Sequence, residues 1–71
     1  MIYEMTVGFE CYHKPSETWH NHKQSHGVRA VSRKHALNKA VKVAASLPGY
    51  SDREGHPEWL CSAFAKFKES A

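Results

Sequence analysis

Two short pairs of metal-competent residues lie near the N-terminus: Cys11-x-His13, then His20-x-His22 with His26 close behind. Thiolate and imidazole are the ligands from which tetrahedral zinc sites are built, so Cys11, His13, His20, His22 and His26 form a candidate metal set. A chain of 71 residues with a modest core would gain stability from such a site. The spacing matches no common zinc-finger pattern such as paired C-x2-C. The plainer account makes Cys11 a small buried hydrophobe and leaves the histidines in water. A zinc-stabilised domain is therefore a minor alternative, and no cofactor is expected. Cys11 beside Glu10 and His13 also has the composition of a nucleophile with a base and an acid. In an extended segment, however, Glu10 points away from the other two. No nucleophile elbow, Gly-rich phosphate loop or paired-carboxylate motif is present. So short a chain also lacks depth for a closed active site, and no enzyme is expected.

The remaining chemistry is electrostatic. From Ser32 to Gly49 the chain carries Arg33, Lys34, Lys39 and Lys42 and no acid; elsewhere six basic residues face seven acidic ones. The formal net charge of +3 therefore comes from this one segment. Such a surface attracts nucleic acid, an acidic protein or an anionic membrane, although lysines also serve simply to keep a helix solvated. Lys34, Lys39 and Lys42, with Arg33 and the neighbouring Arg29, could track phosphates, and Asn38 alone on that face suits contact with a base edge. No helix-turn-helix, KH or RNP aromatic pattern accompanies them. Trp19 is the one large apolar residue of the polar stretch 14–27. It either folds back as a lid on the core, as amphipathic Trp commonly does, or stays exposed as a partner's anchor.

These residues need elements to hold them. Residues 1–13 alternate, with Met1, Tyr3, Met5, Val7, Phe9 and Cys11 on one face, which predicts a strand half buried. Gly8, on the other face, marks a bulge or a close backbone approach. Residues 14–27 have no periodicity and many turn formers, and read as a loop. A short antiparallel strand is expected at 28–31, then a helix over 33–47 with Ser32 as N-cap and Pro48 as its stop. Leu37, Ala40, Val41, Ala44 and Leu47 lie on the helix face opposite the lysines. Residues 49–57 read as a second loop. The segment 58–68 fits either period: Trp59, Leu60, Ala63, Phe64 and Phe67 share a helical face, whereas a strand leaves Leu60 and Phe64 on the wrong side. The pattern leans to helix, although a third strand would steady a two-stranded sheet.

The fold class expected is α+β: a small antiparallel sheet (1–13, 28–31 and, as an alternative to helix, 58–68) packed on one amphipathic helix, as a single domain over 1–71. Its core is expected to hold Tyr3, Met5, Val7, Phe9, Val28, Ala30, Leu37, Ala40, Val41, Ala44, Leu47, Trp59 and Phe64. A hydrophobic content of 41% supports a packed core. With no secretory leader and only two cysteines, a reducing cytoplasm with Cys11 and Cys61 as thiols is the default. No apolar run approaches the roughly 20 residues of a membrane span.

The order of elements, with Ala30-x-Ser32 leading into a helix spaced as Ala36, Ala40 and Ala44, resembles that of very small phage-encoded proteins. Among these are the phage inhibitor of bacterial RNA polymerase and several small anti-CRISPR proteins. The polymerase inhibitor is closed by a C-terminal strand. The resemblance implies a phage or mobile-element origin, residence in the host cytoplasm, and stoichiometric binding to a host protein without catalysis. It carries over no contact residue. The partner-binding set read from the residues is Trp19, Arg29, Arg33, Lys34, Asn38, Lys39 and Lys42. A host protein is the first expected partner, DNA or RNA the alternative, and a membrane is not expected.

Overall fold

The structure, a computed structural model, describes residues 1–68. Three strands, β1 (Ile2–His13), β2 (Thr18–Arg29) and β3 (Trp59–Phe67), form one antiparallel sheet in the order β2-β1-β3. Helix α1 (Arg33–Ala45) and the single turn α2 (Pro48–Ser51) both lie on one face of it. The α+β class expected from the sequence is the one observed.

β1 is the central strand, and its alternation is the reason. Met5, Val7 and Cys11 are fully buried and Phe9 nearly so, whereas Glu4 and Glu10 face solvent. The helical seam above them is alanine: Ala36, Ala40 and Ala44 are all fully buried. Methyl groups four residues apart let the helix axis come close to the sheet, with Leu37 and Val43 packing alongside. Val41, expected in the core, lies on the flank of this seam and is 41% exposed. Ser32 caps the helix as expected, its Oγ accepting from the His35 N–H at 3.2 Å. The helix ends at Ala45, and Pro48 begins α2 rather than simply following a stop.

Two elements differ from expectation. The stretch read as a loop with a short strand at 28–31 is one long strand, β2, paired with β1 over twelve consecutive positions from Ile2↔Arg29 to His13↔Thr18. It is an edge strand exposed on both faces along most of its length, so it carries no apolar alternation to be seen. Within that stretch the turn is confined to the tight connection Lys14–Glu17, where Glu17 N–H reaches the Lys14 carbonyl at 3.3 Å and Glu17 takes a φ of 52°. The C-terminal segment, leaning to helix by pattern, is strand β3. Its register against β1 places Trp59, Cys61, Ala63, Ala65 and Phe67 toward the helices, leaving Leu60 and Phe64 on the far face. Phe64 is thus outside the core expected for it.

Cys11 and Cys61, expected as thiols, are joined in a disulfide. They sit directly opposite each other in register, with Cα atoms 4.1 Å apart. Bonds from Lys68 N–H to the Glu4 carbonyl and from Lys14 N–H to the Glu58 carbonyl put the hydrogen-bonded pairs at even-numbered β1 residues. The Cys11–Cys61 pair therefore occupies a non-hydrogen-bonded position, where side chains approach most closely.

Candidate functional site

Helices cover only one face of the sheet. The other, open face is built by the even residues of β1 with the residues registered against them. At the hairpin tip, Trp19, Tyr12 and Leu60 form a row across the three strands. Trp19 is 63% and Leu60 58% exposed, and the Tyr12 and Trp19 rings pack at a 51° tilt with centroids 5.0 Å apart. Trp19 thus stays exposed and does not lid the core. The next row is Asn21, Glu10 and Ser62; then Lys23, Gly8 and Phe64; then Ser25, Thr6 and Lys66. Rows on one face repeat every two residues, about 7 Å apart.

Gly8 shapes the middle of this surface. A Cβ there would run into the His22 carbonyl oxygen of β2 and stand 2.9 Å from both Lys23 Cα and Phe64 Cζ. The register has no bulge, so the expectation of a close backbone approach is the one met. Phe64 leans across the glycine instead of standing off the sheet, an arrangement that pins β-strand register as well as supplying an aromatic surface. Beside it lies a depression of about 520 Å³ lined by Glu10, Asn21, Lys23, Ser62, Phe64 and Lys66, with Phe9 and His22 completing its wall. The volume falls in the range of small-molecule sites.

The charge on this face is positive on balance. Lys23, Arg29, Lys66 and Lys68 stand against Glu4 and Glu10. Lys68 reaches across β1, its Nζ donating to Ser25 Oγ at 3.1 Å. The described residues bury no polar or charged side chain, so the chain's polar chemistry is on its surface.

The sequence-derived residues are dispersed. Arg33 lays its guanidinium 3.8 Å from the centroid of the Phe67 ring, and Lys39 donates to the Arg29 carbonyl at 2.8 Å. Both therefore hold the helix to the sheet. Lys34, Asn38 and Lys42 are exposed on a stripe two residues from the alanine seam, about 200° round the helix. They point away from the sheet, while Trp19 is on the opposite side of it. No single partner surface joins the helix lysines to Trp19. Trp19 and Arg29 do share the open face.

The candidate metal ligands are also kept apart. The described residues contain no group of three or more His, Cys, Asp or Glu side chains placed to hold a metal. Cys11 has spent its sulfur on Cys61. His13 hydrogen-bonds Ser16, His20 accepts or donates to Thr18 at 3.0 Å, and His22 engages Gln24 at 3.0 Å. His13 and His20 also pack on Trp59, at 4.5 and 5.1 Å between centroids, and Arg53 covers the same ring at 4.8 Å. These histidines line the helix-side face of the hairpin as packing groups.

Leu60, Phe64, Tyr12, Lys23 and Lys66 were missed by sequence reasoning. A signal existed: Leu60 and Phe64 are the residues that a strand at 58–68 leaves on the wrong side. No helix of the described residues is long and apolar enough to cross a membrane. No protein-family model, curated protein or solved structure matches this chain.

Proposed function

We propose that this chain is a non-catalytic binding protein whose ligand, a single strand of DNA or RNA, lies along the open face of the sheet. The observation that carries the reading is the recurrence of aromatic side chains every second row, exposed Trp19 with half-buried Tyr12 and then half-buried Phe64, among polar and cationic ones. Bases stack on aromatic side chains without regard to sequence, at about 1–3 kcal/mol each, and cations follow the backbone. Tyr12 with Trp19 and then Phe64 supply stacking surfaces two rows apart. Lys23, Lys66 and Arg29 supply charge on the same face. The nucleic-acid surface is accordingly the sheet, and the lysines of the helix serve solubility and tethering.

The test is fluorescence anisotropy of a labelled mixed-sequence oligonucleotide against the full chain, with Trp emission followed in parallel. Binding should be tight enough to measure at about 50 mM salt and fall by about 0.7 log units per log unit of salt for each phosphate contact. Lys23→Gln and Lys66→Gln should each shallow that slope by one contact, and Trp19→Ala should abolish the quenching. Absence of binding at low salt would remove the reading.

One observation favours a second reading, in which a protein is bound. β2 is a long free edge, and the hydrogen-bond alternation set by Ala30 N–H to the Met1 carbonyl turns the main-chain groups of its odd residues outward. Such an edge can take up a partner strand, with Trp19 as anchor. An origin in phage or a mobile element and action on a host protein belong to this reading, whereas the cytoplasmic location expected with Cys11 and Cys61 as thiols loses that basis with the Cys11–Cys61 bond. Ser25→Pro, which removes one outward N–H and the hydroxyl that accepts from Lys68, should abolish edge pairing and change oligonucleotide affinity far less.

A further inference from the structure

We infer that the depression beside Gly8 is a base-reading subsite selective for guanine within a bound single strand, an inference that rests on the nucleic-acid reading above. Its parts are a stacking surface, an anionic acceptor and a flanking cation. Phe64, laid across Gly8, is the stacking surface. Glu10 is in the adjoining row, between Asn21 and Ser62, and Lys23 shares the row of Phe64 on the far side of Gly8. All of them line one depression.

A carboxylate in a nucleic-acid groove is unfavourable toward phosphate, so its presence one row from Lys23 and two rows from Lys66 asks for a partner that donates. Ionised Glu10 only accepts, through two oxygens side by side. Guanine alone among the bases offers two adjacent donors on its Watson–Crick edge, N1–H and the N2 amino group, with the O6 acceptor next to them. Two parallel charge-assisted bonds to Glu10 match the donors, and Lys23 Nζ matches O6. Adenine and cytosine each set one amino group beside an acceptor that Glu10 would repel. Thymine and uracil set one N–H between two carbonyls. Lys66, one row beyond Phe64 on β3, is left for the phosphate of the same nucleotide.

The discrimination expected for a bidentate base contact, about 1–3 kcal/mol, corresponds to roughly 5- to 150-fold in affinity. The experiment is anisotropy with the full chain and labelled oligothymidylate carrying one central guanine, adenine, cytosine or hypoxanthine. The guanine oligonucleotide should bind at least about fivefold tighter than all-thymine, and hypoxanthine, which lacks the N2 amino group, should lose most of that gain. Glu10→Gln should abolish the guanine preference and keep affinity for oligothymidylate at or above that of the unchanged protein. Equal affinity for all central bases, or a guanine preference that survives in Glu10→Gln, overturns the inference and leaves the nucleic-acid reading standing. Failure of every oligonucleotide to bind at low salt overturns both.

Discussion

Reducing the Cys11–Cys61 bond tests the largest single contribution to stability that the topology implies. The two cysteines are separated by 50 residues, so the bond closes a loop holding most of the chain. In the loop-entropy treatment, closing about 50 residues in the unfolded state is worth about 4 kcal/mol. A chain of 71 residues is expected to have roughly 4 to 11 kcal/mol in total, so this is a third of its stability or more. Reduction is the cleaner perturbation, because substituting Cys11, which is fully buried, would open a cavity as well. Urea unfolding followed by Trp emission, with and without a phosphine reductant, gives both midpoints. With a slope of about 1 kcal/mol per molar urea, the reduced midpoint should fall by about 4 M, leaving the chain near the edge of unfolding in plain buffer. Midpoints that agree to within about 0.5 M would refute the reasoning. They would mean that the unfolded chain is already compact, or that the β1–β3 pairing gains nothing from the cross-link.

Gly8→Ala should cost about 3 kcal/mol, the upper end of overpacking costs, in the same urea assay, because the new methyl overlaps the His22 carbonyl oxygen and meets Lys23 Cα and Phe64 Cζ at 2.9 Å, and two of the three are backbone. Gly49→Ala should cost about 1–3 kcal/mol by driving Phe9 out of its place under α2, and loss of the Phe9–His22 contact should be visible as shifted histidine ring signals in NMR. Ser32→Ala removes the hydroxyl that caps His35 N–H and should lower stability by about 1 kcal/mol, read as a lower thermal midpoint. Lys34→Gln with Lys42→Gln should leave both stability and oligonucleotide affinity nearly unchanged. A large loss of binding in that variant would return the site to the helix.

Sequence reading succeeded where one face of an element is apolar and the other polar. β1 and α1 satisfy that condition, and Ser32 caps the helix by chemistry that local sequence fully specifies, whereas Pro48, read as its stop, opens α2. β2 fails it, because Trp19, Asn21, Lys23 and Ser25 alternate with His20, His22, Gln24 and His26, and neither set is buried deeply enough to be apolar. Its pairing is imposed by β1 across the hairpin, a non-local term that composition does not carry. β3 was ambiguous for a different reason. Leu60 and Phe64 are apolar on a face that no helix covers, and apolar residues at 59, 60, 63, 64 and 67 imitate a helical stripe. The ambiguity was itself the trace of the open face. The disulfide was equally hidden, since two cysteines 50 residues apart become neighbours only once both strands flank the same register.

The alanine seam has a mechanical consequence. Three methyl groups in line form a smooth rail, and the larger helix side chains that reach the core, Leu37 and Val43, flank it. Position along that rail is set from the perimeter. Lys39 ties the flank to the end of β2, Arg33 clasps Phe67 at the edge of β3, and Gly49 seats the following turn on Phe9. Enlarging a seam residue should lift the helix bodily off the sheet, whereas loosening a perimeter contact should let it slide while it stays seated.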